Sequence, residues 1–455
     1  MIADNVMNRR DFLNALAVGA VSAPSLADAT QASWKAGVGR VDITPQNSLW
    51  MAGFARRKQP SQGVALPLNA KALALQSGDQ PPVVLVTVDL LGVTARMTDR
   101  VASEVARRHR MPRANVLLNA SHTHCGPVVD EQLSVAYDLS EEQWTAIRAY
   151  TTRLEELLIG VVGQAVSRLA PARLSYARGE AAFAANRRVK FTPDGPVDQS
   201  VPVLRVDAAT GGMLALVFGY ACHNTTLSDT FVQYHGDYAG VAQASLERRH
   251  AGTAALFVAG CGADANPRPR GTLELVQAHG EALAEAVDRA LPQATPVAPA
   301  IATAYGTVDL PYAAGAERDR WRKGLAIEDV YLQRHAELMK RVLAREGRLP
   351  AAQTNPVQVW HLGADLTLVA LGGEVVVDYA LRLAREYPHR RMWVAGYSND
   401  VFGYVPSTRV LREGGYEGGD AMIYYGRPAP FTDAVEELIV GKVRELMGRS
   451  GGSSG

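Results

Sequence analysis

The chain has 455 residues, of which 47% are hydrophobic and 20% charged, and 47 Lys+Arg against 46 Asp+Glu leave a formal net charge of +1. Such a composition buries a large core and excludes a disordered chain. Balanced charge without a basic stripe excludes a nucleic-acid-binding surface, three cysteines do not make a disulfide framework, and past the N-terminus no apolar run reaches the ~18 residues that an integral membrane helix needs.

Residues 1–29 read as an address. Asn8-Arg9-Arg10-Asp11-Phe12-Leu13 sets an arginine pair before an apolar run, Leu13 to Ala23, and Ala27-Asp28-Ala29 has the small-residue pattern of a cleavage site. Together these make an export signal of twin-arginine type, which predicts a periplasmic or extracellular protein. Residues 30–450 are expected to form one folded domain, and 451–455, Gly-Gly-Ser-Ser-Gly, a flexible tail.

Gly37–Pro45 alternates like a strand and stops at proline, and Val83–Val88 is the continuous apolar run of a buried strand. Thr98–Arg110 has helical spacing and Asn115–Leu118 reads as a strand. Ser140 and Gln143 make a capping box that opens a long predicted helix, Glu141–Leu169. Strands are predicted at Arg173–Ala177, Pro202–Val206, Leu214–Tyr220 and Ala254–Ala259, with helices at Tyr238–His250, Leu273–Leu291 and Glu317–Glu346. Val357–Leu362 and Leu366–Leu371 read as a hairpin, followed by helix Val375–Glu386, strand Met392–Gly396 and a last helix near Thr432–Met447. Strands alternating with helices predict an α/β fold with a mixed, largely parallel sheet flanked by helices.

In such folds, sites gather beyond the carboxyl ends of strands. Four segments pair a strand with unusual polar residues: Ser121-His122-Thr123-His124, Cys222-His223-Asn224, Gly372-Gly373-Glu374 and Tyr397 to Tyr404. Imidazole and carboxylate are the usual donors to a catalytic zinc. In His-x-His on an extended segment, the period of 2 sends both rings to one face. His109, His250, His279, His335, His361 and His389 have no such pattern and read as structural or surface residues, while His235 is a candidate on the substrate side. Asp89, Asp237 and Asp264 are candidates to stand behind the metal donors and fix imidazole tautomers, or else are turn residues. Cys125, Cys222 and Cys261 lie inside the motif loops, as packing residues, a disulfide pair or ligands. Gly260-Cys261-Gly262-Ala263-Asp264-Ala265 mimics a dinucleotide fingerprint, but Pro267 and Pro269 stand where a helix should begin.

Motifs in order along the chain carry a family resemblance. They are Gly37 to Pro45, Gly53-Phe54-Ala55-Arg56-Arg57, Val86-Thr87-Val88-Asp89, Ser121 to Pro127, Asn186-Arg187-Arg188, Cys222-His223-Asn224, Gly236 to Gly240, Gly260 to Pro267, Gly373-Glu374 and Asn399 to Tyr404. The chain resembles the N-terminal catalytic domain of the neutral/alkaline non-lysosomal ceramidase family; that family's C-terminal immunoglobulin-like domain is not expected in it. The resemblance implies one Zn²⁺ per chain, held by His122, His223, Glu374 and Tyr404, the last chosen over Tyr397 by its spacing from Asn399. It places His124, Arg187 and Asp237 near the reacting group, and Asn266 where the family carries a serine. The expected activity is zinc-dependent hydrolysis of a lipid or small-molecule amide by activated water, with His124, Tyr404 and Asn266 catalytic and Arg187 binding substrate. An esterase or lactonase acting on a small polar substrate, or a metal-bearing binding protein without turnover, are the alternatives.

Overall fold

Apolar runs become strands in the computed structural model, which describes residues 33–315, 319–325 and 328–451. The export signal expected over residues 1–29, and the tail beyond Gly451, lie outside the described residues. In chain order the strands are β1 (Trp34–Asp42), β2 (Asn69–Ser77), β3 (Val83–Val88), β4 (Val116–Ala120), β5 (Ala170–Glu180), β6 (Ala184–Asn186), β7 (Ser200–Ala208), β8 (Met213–Tyr220), β9 (Ala254–Ala259), β10 (Ala265–Pro267) and β11 (Thr295–Val297). Then follow β12 (Ile301–Pro311), β13 (Ala352–Leu362), β14 (Leu366–Leu371), β15 (Glu374–Val375), β16 (Arg391–Ala395) and β17 (Tyr404–Val405). The helices are α1 (Ala95–His109), α2 (Glu141–Ser167), α3 (Asp237–Arg249), α4 (Leu273–Ala290), α5 (Val330–Glu346), α6 (Asp378–Glu386), α7 (Thr408–Glu413), α8 (Gly415–Gly418) and α9 (Val435–Gly451).

A nine-stranded sheet runs β4-β3-β2-β1-β5-β7-β8-β9, with β11 also pairing β5, and a four-stranded sheet runs β12-β13-β14-β16. Period-2 alternation gives each strand of the large sheet two apolar faces. On β2, Ala70, Ala72 and Ala74 meet Met97, Val101, Leu154 and Leu158 of α1 and α2. Its Leu73 and Leu75 join Trp360, Leu368 and Trp393 of the second sheet. The outer face of the second sheet is covered by α6 and α9 through Leu383, Ile439, Val443 and Leu446. The result is helices, sheet, sheet, helices. Each leucine or valine so buried contributes about 1.5–3 kcal/mol.

The sheet is mixed, as expected, but antiparallel pairing dominates it. Among the described residues the parallel pairs are β3–β4, β8–β9, β14–β16 and β15–β17. The predicted alternation overlooked β2 and β12. In β2 the sequence Asn-Ala-Lys-Ala-Leu-Ala-Leu-Gln-Ser has no β-branched residue and reads as a helix former. Its two ladders, to β1 and to β3, are both antiparallel. The hairpin predicted around Gly363 is present as β13 and β14. The capping box of α2 is present: Ser140 Oγ accepts from the Gln143 amide at 3.2 Å, and Gln143 Oε1 accepts from the Ser140 amide at 2.9 Å. The helix predicted over 317–346 is not one element. Asp329 accepts from the amides of Tyr331 and Leu332 and starts α5 afresh, after a separate 3₁₀ segment, Arg320–Leu325. No described helix is long and apolar enough to cross a membrane.

A candidate metal centre at the ends of three parallel strand pairs

Three of the parallel pairs end at one place. From each, one strand delivers a predicted metal donor and its neighbour delivers a support. Beyond β4 lies His122, whose Nδ1 sits 2.7 Å from the carbonyl of Leu91, which follows β3. Beyond β8 lies His223, whose Nδ1 sits 3.0 Å from the carbonyl of Gly262, which follows β9. Beyond β14 lies Glu374, and beyond its neighbour β16 lies Tyr397, whose ring centroid is 4.4 Å from that of His122. Asn119 ties the pairs together: its Oδ1 accepts from the Ala259 amide at 2.9 Å and its Nδ2 donates to the Gly396 carbonyl at 2.8 Å.

Tyr404 arrives by register. In the parallel pair β15–β17, Glu374 stands directly beside Tyr404. His122 Nε2 and His223 Nε2 each lie 3.1 Å from Glu374 Oε2, and the Tyr404 hydroxyl lies 3.2 Å from His223 Nε2. His124 Nε2 is 3.3 Å from His122 Nε2. The rings of His122 and His124 therefore do converge, but not through an extended segment. The strand stops at Ala120, and His122 is left-handed at φ 59°. A left-handed non-glycine residue is strained, and such strain concentrates at functional sites. His124 needs its neighbour to lack a side chain: Gly53 sits at φ +97°, and a Cβ there would lie 2.3 Å from His124 Nδ1.

The donor chemistry fits a metal ion. Both Nδ1 atoms face carbonyls and so carry the hydrogens, which turns the Nε2 lone pairs toward Glu374 Oε2. That oxygen is buried and accepts no hydrogen bond. A cation seated among these electron-rich atoms satisfies all of them. The spacings of 3.1–3.2 Å approach the roughly 3.3 Å edge of a tetrahedron whose metal–ligand bonds are about 2.0 Å. His122, His124 and His223 also form a group that could hold a metal, their donor atoms all within 4.8 Å of one another.

Burial sets the protonation states. It pushes the His223 imidazole down to about 4, helped by the Arg187 charge. It holds His124 well below the ordinary histidine value, with His122 and His223 adding to the effect. Burial alone would protonate Glu374; positive charge and N–H donation from the two imidazoles hold its carboxyl well below the usual carboxylate range, a part that a cation takes over when their Nε2 atoms present lone pairs. Burial raises the Tyr404 phenol well above its ordinary value against the pull of Arg187. Neutral imidazoles and an ionised carboxylate are the metal-binding forms.

Arg187 is at the site. Its Nη2 donates to the Tyr404 oxygen at 2.9 Å, its Nη1 lies 3.5 Å from His223 Nε2, and its Nε donates to Glu417 at 2.6 Å. Asn266 reaches the site only through Arg187, accepting from Nη1 at 3.4 Å. Other predicted residues stand elsewhere. Asp89 accepts from the Asn69 amide and Gln243, and Asp237 from the amides of Thr226 and Leu227. Neither touches an imidazole of the cluster; backbone carbonyls fix the tautomers instead. Asp264 accepts from the Val377 amide and from Asn186. It braces Arg187 through its own carbonyl, which accepts from the Arg187 amide at 2.8 Å. His235 is buried under the His-x-His segment, accepting at Nδ1 from the Asp237 amide at 2.8 Å, and lies outside the cavity lining. The three cysteines are free and buried. Past Gly262 the chain enters β10 rather than a helix, so no dinucleotide fingerprint forms. Among the histidines read as structural or surface residues, His250 lies 2.7 Å from Asp288, His279 2.6 Å from the Pro269 carbonyl and His361 2.9 Å from Thr367.

Sequence reasoning missed the segment around α8. It supplies Tyr416, Tyr424 and Tyr425 to a cavity of about 390 Å³ that His122, His124, Glu374, Tyr404, Phe54 and Tyr331 also line. It also supplies Glu417, which holds Arg187 and, at 2.5 Å, Arg188. The Tyr425 hydroxyl donates a short hydrogen bond to Glu374 Oε1. Its tyrosine-rich composition was the one available signal.

A family model described as neutral/alkaline non-lysosomal ceramidase, N-terminal, matches residues 34–267. The chain is 25% identical over 287 residues to neutral ceramidase A of Dictyostelium discoideum, a stretch covering 57% of this chain and 39% of that one. It is 25% identical over 259 residues to the neutral ceramidase of Pseudomonas aeruginosa, covering 52% and 37%. The match thus spans about two fifths of the length of these relatives. Among solved structures, a crystal structure of neutral ceramidase from Pseudomonas aeruginosa superimposes with TM-score 0.70 at 19% identity, covering 91% of this chain and 75% of that one. A ceramidase complexed with C2 superimposes with TM-score 0.71 at 18% identity, covering 91% and 76%. Both show the same fold.

Proposed function

The chain belongs to the neutral/alkaline non-lysosomal ceramidase family, and from that premise we propose that it is an exported, zinc-dependent hydrolase that cleaves the amide bond of an N-acyl lipid of the ceramide class. The observation that carries this reading is the convergence of the His122 and His223 Nε2 atoms on the buried Glu374 Oε2, 3.1 Å from each, at the wall of a cavity.

His122, His223, Glu374 and Tyr404 would hold one Zn²⁺ at the wall of this cavity. When bound, the ion supplies Lewis-acid polarisation of the acyl carbonyl and lowers the pKa of a water to near 7. His124, whose Nε2 lies 3.3 Å from His122 Nε2, serves as the proton relay: it takes a proton from the attacking water and returns it to the leaving nitrogen. Arg187, anchored by Glu417, sets positive charge beside Tyr404 where charge develops on the carbonyl oxygen. Asn266 orients Arg187 rather than meeting the substrate. No serine nucleophile is required.

A second reading is favoured by the cavity, whose volume of about 390 Å³ lies at the small end of the usual ligand range. A small ester, lactone or short-chain amide suits such a volume. Zinc per chain by elemental analysis tests the core of the proposal. Near one zinc in the wild type and little in His223→Ala is expected, followed by turnover of N-acyl sphingosines above that of matched esters. A well-folded wild type that takes up no zinc overturns it. Faster turnover of esters moves the assignment to the second reading.

A further inference from the structure

We propose that Tyr425 is the residue that orients Glu374 and so selects which of its two oxygens faces the metal seat; this rests on the metal reading above. The backbone fixes where the Glu374 side chain begins, because β15 pairs in register with β17 and sets Glu374 beside Tyr404. It does not fix where the side chain ends. The last torsion of a glutamate is broad and roughly two-fold, so register alone leaves the two carboxylate oxygens interchangeable. Tyr425 breaks that equivalence. Its hydroxyl donates to Oε1, while Oε2 accepts no hydrogen bond and lies 3.1 Å from both His122 Nε2 and His223 Nε2.

The phenol is itself held. A Cβ built on Gly403 would lie 3.8 Å from the Tyr425 Cβ and 3.6 Å from its Cγ, so the root of Tyr425 stands against the residue preceding Tyr404. The Tyr425 and Tyr404 rings lie 6.4 Å apart. One side chain thus positions both the carboxylate and the strand that carries the phenol. A donor on Oε1 withdraws its lone pair and leaves Oε2 as the single coordinating oxygen. Without that donor both oxygens become available, and two-oxygen coordination competes.

The test is metal binding by the full chain, with Zn²⁺ and Co²⁺ as the probes. Tyr425→Phe removes one hydroxyl from a half-buried ring. It is expected to weaken Zn²⁺ binding by about 10–100-fold, the usual effect of losing a group that orients a metal ligand. In the Co²⁺ form, whose visible bands report coordination number, the bands should weaken and shift as a second oxygen enters. Tyr312→Phe, which loses a partly buried phenol bond to Gln353 of 3.3 Å just past β12, should match the wild type in both measurements. Wild-type affinity and an unchanged Co²⁺ spectrum in Tyr425→Phe overturn the positioning role and leave the metal site standing. A wild type that binds neither ion overturns the metal reading, and this proposal with it.

Discussion

His124 depends on a hydrogen atom. Gly53 sits where any side chain would strike the ring, with a Cβ 2.3 Å from Nδ1. Gly53→Ala is therefore expected to displace His124 and, if His124 is the general base, to lower kcat about 100-fold, the lower end of what such a base contributes. Zinc content should stay near one per chain if His122, His223, Glu374 and Tyr404 are the donors. Loss of zinc along with activity would instead make His124 a ligand, as the three-imidazole grouping allows. At this scale the histidines were legible because His-x-His and Cys-His-Asn each follow an apolar run. Glu374 likewise follows an apolar run, as Gly-Gly-Glu, while the choice of Tyr404 over Tyr397 needed the family pattern. Tyr425 and Glu417 were invisible because their partners lie 51 and 230 residues away. A tyrosine or glutamate on a short helical turn carries no mark of such a partner.

Among the elements, the seam between the two sheets rests on Asn119. Its side chain accepts from the Ala259 amide and donates to the Gly396 carbonyl and, at 3.1 Å, to Ser398 Oγ. Asn119→Ala leaves the buried Ala259 amide without its acceptor, at about 1–3 kcal/mol, while the Gly396 carbonyl keeps the Ser398 hydroxyl at 2.8 Å. Urea titration should show a loss of roughly 1–3 kcal/mol, and zinc affinity should fall too, because the same residue aligns the strand ends that carry the donors. The strong helices α1, α2, α3 and α4 were readable from periodicity and caps. So were the buried strands that end at the site. Apart from the β13–β14 hairpin, the antiparallel ladders were not, because β2 is built from helix-forming alanine and leucine, and its strand state is imposed by neighbours on both edges. The strands that bear the donors were therefore legible, while β2, β12 and the antiparallel pairing of the frame were not.

For the whole molecule, pH couples to stability through buried carboxyls. Burial pushes Asp400 up to about 6, against the pull of Arg427. An unfolded aspartate titrates near 3.9, so between about pH 4 and 6 the folded chain holds the proton more tightly than the unfolded one. Stability contributed by this group therefore falls as pH rises through that window, and the loss is complete above it. Asp400→Asn cannot ionise and keeps an acceptor for the Ala95 amide. Its stability relative to the wild type should rise from pH 4 to 6, by at most about 1.4 kcal/mol per pH unit, and then level off. A relative stability that is flat with pH would show that Asp400 titrates as an ordinary carboxylate.

The three strand pairs that meet at the site are joined across the seam by few backbone bonds, among them Ala120 amide to Tyr397 carbonyl at 3.2 Å and Gly396 amide to Ala259 carbonyl at 3.1 Å. An ion shared by donors from all three would act as a cross-link between segments far apart in sequence, closing large loops that the unfolded chain must otherwise close at an entropic cost. Chelation of the metal should then quicken deuterium uptake first at the amides of Ala120 and Gly396, while those in the middle of β1 and β5 stay protected. In that sense the candidate metal centre would also be the fastener of the two sheets, and loss of the ion would be felt as breathing along the seam before it was felt as unfolding.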